Sequence, residues 1–255
     1  MSAAVAQTIA FGNGGFNLGN INAPGTEKLD VLEQNGRFQL FNEDGTPIVG
    51  LGLQGSQGKD RLSILDENPN SSSLSKGGSD NNLAVERLTA NLLGGNDKLI
   101  IRGATRKSEI NMGDGNDKFR SIGRFQRSSF AGGEGENIAR VKGNVKGNIS
   151  RKSDFDFGDN DDLLVFGGNV KRLDIDLKGG ADEARFGGDV SKTTLNLGKD
   201  GDTDVVRLSD KAEFSGFRIK GADENDVLFI GSSEYQYDGG RTWSNIDNPD
   251  DTVKF

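Results

Sequence analysis

An acidic, glycine-rich turn returns nine times along this chain of 255 residues at nearly constant spacing. Four copies read GSQGKDRL (Gly55 to Leu62), GGNDKL (Gly94 to Leu99), GDGNDKF (Gly113 to Phe119) and GGEGENIA (Gly132 to Ala139). Looser copies read KGGSDNNL, GDNDDLL, KGGADEARF, KDGDTDVV and GADENDVL. The residues that close the turns are Asp60, Asp80, Asp97, Asp117, Asn137, Asp162, Asp182, Asp204 and Asp226, spaced by 20, 17, 20, 20, 25, 20, 22 and 22. A unit of this size is too short for a helix pair, which takes at least ~33 residues in the common helical repeats. It suits short strands joined by turns and stacked coil upon coil.

Columns around the closing residue agree with one another. Two positions before it stand Gly58, Gly78, Gly95, Gly115, Gly135, Asn160, Gly180, Asp202 and Glu224. Nearly all are Gly, Asn or Asp, the types that tolerate a left-handed backbone. Two and four positions after it come apolar pairs such as Leu62/Ile64, Leu99/Ile101, Leu164/Phe166, Val206/Leu208 and Leu228/Ile230. Alternation at period two marks a strand with one buried face. Six positions after it a second turn column reads Gly103, Gly123, Gly143, Gly168 and Gly188, and a second set of apolar pairs follows (Ile110/Met112, Ile175/Leu177, Leu195/Leu197, Phe217/Ile219). The expected fold is therefore all-β, a parallel β-solenoid of about eight coils, with antiparallel β caps at both ends because open ladders invite edge-to-edge pairing.

Four regions follow. Residues 1–25 read as an N-terminal arm that docks on a partner, 26–54 as a β-meander cap, 55–231 as the solenoid, and 232–255 as a hairpin cap with an acidic, mobile tail. The hairpin carries the single Trp (Trp243) and both Tyr (Tyr235, Tyr237). The long spacing from Asn137 to Asp162 places a protruding loop near Gly143 to Ser153.

Composition narrows the chemistry. The net charge of −8 argues against a nucleic-acid partner. With no cysteine and no histidine, disulfides, thiolate or imidazole metal sites, and Ser-His-Asp catalysis are excluded. No stretch approaches the ~20 apolar residues of a membrane span. The opening MSAAVAQTIAFGNGG lacks the basic and apolar regions of a cleavable signal peptide.

At its turns the chain resembles the haemolysin-type (RTX) calcium-binding repeat family, whose unit is G-G-x-G-x-D-x-U-x with U a large apolar residue. Met112-Gly113-Asp114-Gly115-Asn116-Asp117-Lys118-Phe119 carries the resemblance best, and turn pattern extends it over about residues 55–231. The resemblance implies a parallel β-roll with Ca²⁺ between stacked turns, and as metal residues Asp60, Asp97, Asp114, Asp117, Asp162 and Asp182. The motif here appears on one edge of the coil only, whereas the family carries it on both. Two readings of these turns stay open: Ca²⁺ ligation, and Gly/Asn/Asp serving tight turns alone.

Paired carboxylates at Asp154/Asp156, Asp161/Asp162 and Asp174/Asp176 fit acid–base work on a glycoside. Asp161-Asp162 followed by Arg218-Ile219-Lys220 resembles some β-helical pectin hydrolases, but the Gly-His-Gly segment of that family is missing. The favoured expectation is a non-enzymatic structural or binding protein of a cell or virus-particle surface: a spacer, decoration or adhesion element, partnered by protein or by its own copies. The alternative is a carbohydrate-active β-helix module acting on polysaccharide.

Overall fold

The computed structural model describes residues 7–12, 15–17, 29–33, 38–42, 48–65, 83–147 and 155–255. These contain strands and turns but no helix. From Phe38 to Lys220 the chain winds as a β-solenoid of eight coils, each laying one strand in each of three sheets. A representative coil places Lys98–Ile101 in the first sheet, Ala104–Arg106 in the second and Glu109–Asn111 in the third. The sequence reading expected a second strand after a short stretch; that stretch is itself a strand of two or three residues, which makes the coil three-sided. A glycine corner separates the first sheet from the second, a left-handed corner the second from the third, and the Gly/Asp turn returns the chain to the first.

Coils pair in parallel with matched register. Leu62, Leu99, Phe119, Ala139, Leu164, Ala184, Val206 and Leu228 form one vertical column of the first sheet. All eight are buried, and each Val, Leu or Phe contributes about 1.5–3 kcal/mol by leaving water. Large residues at one level sit beside small ones at the next in part of the stack. The coil with Phe119, Phe125 and Phe130 has Gly132 where the next has Phe157, and a Cβ on Gly132 would stand 3.0 Å from the Phe157 ring. Aromatic rings run up the core in contact from Phe130 to Phe155 (5.6 Å), Phe166 (5.1 Å), Phe186 (5.6 Å), Phe217 (5.4 Å) and Phe255 (5.4 Å).

Several sequence expectations shift. Asp80 was counted as a turn of its own, but the coil above Asp60 closes at Asp97, 37 residues on, and Arg61–Ile64 pairs directly with Lys98–Ile101. Asp80 lies in 66–82, outside the described residues, between two strands of a single coil. Residues 38–54, expected as a meander cap, are the first coil. Leu29–Glu33 and Phe38–Asn42 are antiparallel, but Phe38–Asn42, Ile48–Val49 and Leu51–Gln54 all pair in parallel with the coil above. In the segment read as a partner-docking arm, Gln7–Gly12 pairs in parallel with Leu51–Gln54 and so extends the third sheet of its own chain. The extra residues before Asp162 enter between Val145–Lys146 and Phe155–Asp156; 148–154 lie outside the described residues, and the flanking strands keep register.

At the C-terminal end Val227–Ile230 turns into the antiparallel strands Ser233–Gly239, Thr242–Asn245 and Thr252–Lys254. Trp243 is buried against Tyr237 (5.2 Å), and the Tyr235 hydroxyl donates to Asp251 (3.0 Å). The tail expected to be mobile supplies the last of these strands, and Phe255 packs on Phe214 and Phe217.

Candidate functional site

The Gly/Asp turns are shaped by how closely one coil approaches the next. A Cβ on Gly113 would sit 2.0 Å from the Leu93 carbonyl oxygen, and one on Gly133 1.9 Å from that of Gly113. Both glycines have positive φ (94° and 83°). At these two positions both the space and the dihedral exclude a side chain, whereas Leu93 (φ 70°) and Lys178 (φ 68°) take the same place in their own coils.

The closing residue of each turn points inward. Asp97, Asp117, Asn137, Asp162, Asp182, Asp204 and Asp226 are buried to within 3% exposure, and Asp60 to 9%. They form a ladder in which each main-chain N–H donates to Oδ1 of the residue one coil above. The distances are 2.7 Å (Asp60 to Asp97), 2.7 Å (Asp97 to Asp117), 3.1 Å (Asp117 to Asn137), 2.6 Å (Asn137 to Asp162), 2.7 Å (Asp162 to Asp182), 2.8 Å (Asp182 to Asp204) and 2.9 Å (Asp204 to Asp226). At the lower end Asp60 accepts from the N–H and hydroxyl of Ser56; at the upper end Asp226 accepts from the Asp223 N–H.

The second oxygen of these carboxyls is the chemically informative atom. Oδ2 of Asp97, Asp117, Asp162 and Asp182 is buried without a hydrogen-bond partner. Asn137, the one amide in the ladder, shows what suits this place: its Nδ2 donates to the carbonyls of Gly133 (3.1 Å) and Gly135 (2.7 Å). A carboxylate oxygen set against such carbonyls would be repelled and a protonated one would donate like the amide, whereas at the two ends of the ladder the second oxygen of Asp60 and of Asp226 accepts a main-chain N–H. Burial accordingly pushes Asp97, Asp117 and Asp162 up to about 7, Asp204 to about 8 and Asp182 to about 9.

Ca²⁺ takes six to eight oxygens. Each aspartate level has one carboxylate oxygen already engaged by a main-chain N–H, and at the Asn137 level an NH₂ group lies against the turn carbonyls. The donor set fits a proton better than a calcium ion. Among the described residues no three acidic side chains gather in a way that could hold a metal. Asp114 does not share the ladder's interior; it is exposed on the outside of its turn.

The fold divides one of the carboxylate pairs, Asp161/Asp162. Asp162 is buried in the ladder, whereas Asp161 is exposed and accepts the Ala181 N–H (2.9 Å). On the outer face of the third sheet Asp156 pairs with Lys178 (2.7 Å) and Asp176 accepts from Asn196 (2.8 Å); Asp154 lies outside the described residues. A shallow trough of about 800 Å³ lies over the first sheet, walled by Arg61, Lys98, Lys118, Glu136, Asp161 and Glu183.

A further feature escaped the sequence reading. At the corner between second and third sheets Arg87, Lys107, Arg127, Arg172 and Lys192 all have positive φ, between 50° and 57°. Register places them in one column. The hydroxyls of Ser108, Ser128 and Thr193, each just after a corner residue, donate back to the carbonyl just before it (3.1, 3.0 and 3.1 Å), which closes the tight corner. A left-handed backbone costs a residue with a side chain roughly 1–2 kcal/mol. The signal was present in sequence as a basic residue twenty positions apart, but its backbone conformation was not.

Comparison with known protein families, with curated proteins and with solved structures returns no match.

Proposed function

We propose that this protein is a non-enzymatic structural rod of a cell or virus-particle surface, working as a spacer, decoration or adhesion element. The observation that carries this reading is the uninterrupted register of nine parallel strands in the first sheet, from Phe38–Asn42 to Val227–Ile230. At ~4.8 Å per strand they span about 38 Å. The Oδ1 atoms of the buried turn residues are spent on coil-to-coil hydrogen bonds, so the aspartates that look like ligands or acids in sequence act as internal ties. In this reading neutral aspartic acids stabilise the turns in place of the calcium that their resemblance to RTX repeats implies. Immunogold labelling of intact cells or particles tests the location, and labelling confined to the interior would overturn it. Circular dichroism with EDTA and with excess Ca²⁺ tests the stabilising group; an unchanged β spectrum is expected, and loss of the spectrum in EDTA would restore calcium.

The trough over the first sheet favours one alternative, a carbohydrate-active module with Asp161 beside basic side chains. A zymogram on acidic polysaccharides with wild type and Asp161→Ala separates the two: turnover that disappears in the variant would replace the structural reading.

A further inference from the structure

We propose that the left-handed corner is a binding edge for a linear acidic polysaccharide lying along the solenoid axis. The inference goes beyond the structural reading above and does not depend on it.

The corner itself needs no side chain. In the first coil it is taken by Gly50 (φ 73°) and in the last by Gly216 (φ 65°). A Cβ would meet nothing within 4 Å at Gly50 and nothing nearer than 3.8 Å at Gly216, so the site is open to solvent and asks only for the dihedral. Glycine adopts that dihedral without strain. Five of the coils between them nevertheless carry Arg or Lys, the sterically unfavoured choice. Stacking at ~4.8 Å also sets like charges above one another, which is unfavourable for the fold. Lys107 gains an ion pair with Glu86 (3.2 Å), but that pair does not call for a left-handed corner, and the two penalties along the column point to a role outside the chain.

The column is reinforced from the second sheet, where Arg106, Lys146 and Lys171 occupy the position just before the corner. The acids beside it are few. Glu86 holds Arg106 (2.5 Å) and Lys107 (3.2 Å), and Glu109 and Asp174 flank it on the third sheet. Arg87, Lys107, Arg127 and Lys192 are exposed, and Arg172 is half-buried. From Arg87 to Lys192 the column covers five coil intervals, about 24 Å, with a break at Gly147.

Shape and composition choose the class of polyanion. A convex corner offers a second folded protein only a narrow contact, far below the ~1,000 Å² of a specific interface, whereas a flexible chain can run along it. Single-stranded nucleic acid would be held by aromatic stacking, and no aromatic side chain stands in the column. A membrane surface would need apolar side chains at its edge; among the described residues the one exposed large hydrophobic is Ile246, beyond the C-terminal strands. What remains is a chain of regularly spaced carboxylates or sulfates.

The test uses full-length protein with alginate, heparin and neutral dextran as probes, titrated calorimetrically at low salt. Alginate or heparin should bind and dextran should not, with affinity falling steeply between about 50 and 200 mM salt. The triple variant R127G/R172G/K192G keeps the corner's dihedral and should fold, with an unchanged β spectrum and a melting temperature no lower than wild type. It should bind at least about tenfold more weakly and with a shallower salt dependence, because three of the contacts that release counterions are gone. A control, R61S/K98S/K118S, removes three of the five basic residues that line the trough and should bind like wild type. The proposal is overturned if the glycine variant binds within twofold of wild type, if the control loses binding instead, if no acidic polysaccharide outperforms dextran, or if oligonucleotides bind more tightly than the polysaccharides.

Discussion

At the scale of single residues, the ladder inverts the usual role of aspartate. A side chain that is normally ionised and solvated is buried here, and its use is to accept the N–H of the coil below with Oδ1. Asn137 is the natural experiment: it accepts like its neighbours while donating to Gly133 and Gly135. Asp117→Asn should therefore fold as wild type at pH 5 and melt higher than wild type at pH 9, where Asp117, held near 7, has lost its proton. Asp117→Ala should be destabilised at both pH values, by about 1–3 kcal/mol, because the Asp97 N–H is left unsatisfied in the interior. Denaturant titrations of the two variants check both outcomes; equal behaviour of Asn and Ala would show that the hydrogen bond to Asp97 contributes nothing.

At the scale of the element, no strand here is stable alone. Coil strands of two to five residues carry too few hydrogen bonds and too little apolar area to persist without the coils above and below. Contacts between levels decide stability, and the aromatic stack is the densest of them. Phe155 touches Phe125 (5.4 Å), Phe130 (5.6 Å) and Phe166 (5.1 Å). Phe155→Ala should cost about 3–5 kcal/mol, read as a shift in the denaturation midpoint at unchanged slope. A loss below about 1 kcal/mol would mean that the neighbouring rings close the gap. Phe155→Leu should recover most of the loss, since it restores most of the volume.

For the whole molecule, the ladder predicts an unusual pH profile. Asp97, Asp117, Asp162, Asp182 and Asp204 have folded values raised to about 7–9 from an ordinary 3.8, because burial disfavours their charged form. Between those limits the folded state binds more protons than the unfolded, so stability falls as pH rises. The contribution is whole below about pH 4 and is lost progressively as pH climbs through 7 to 9. Glu86 and Glu183, held low by Arg106 and Arg185, act in the opposite sense and lose their contribution only on acidification. Melting temperature should thus be highest near pH 4 and decline toward pH 9; a flat or rising profile over that range would refute protonated ties.

Coil identity makes a second prediction at the same scale. Deleting Lys118 to Asn137 removes one full coil and joins Asp117 to Ile138, which leaves Leu99 facing Ala139 and Ile110 facing Phe155. This shortened protein should keep the β spectrum and lose ~4.8 Å of length by small-angle scattering. Deleting only Lys118 to Arg127 cuts the coil in mid-turn, throws every later strand out of register and should not fold.

The period of about twenty residues, the alternation of Leu99/Ile101 and the glycine columns are local properties of the chain. They determine by themselves that it is a stack of parallel coils, because strand periodicity and left-handed turns are chosen residue by residue. The direction taken by Asp97 and Asp117 was not legible in the same way. A turn carboxylate can face solvent, a cation or the core, and only the neighbouring coil's N–H, set down one level away, decides among them. The same holds for Asp80, whose turn-like sequence gives no sign that the strand paired above Arg61–Ile64 is Lys98–Ile101. It holds for charge as well. A net −8 averages over the chain, while folding sends Asp114, Glu134 and Asp159 to one edge and Arg87, Lys107 and Arg127 to another. Stacking converts a residue's place in the repeat into a place on the surface, and that conversion belongs to the tertiary structure alone.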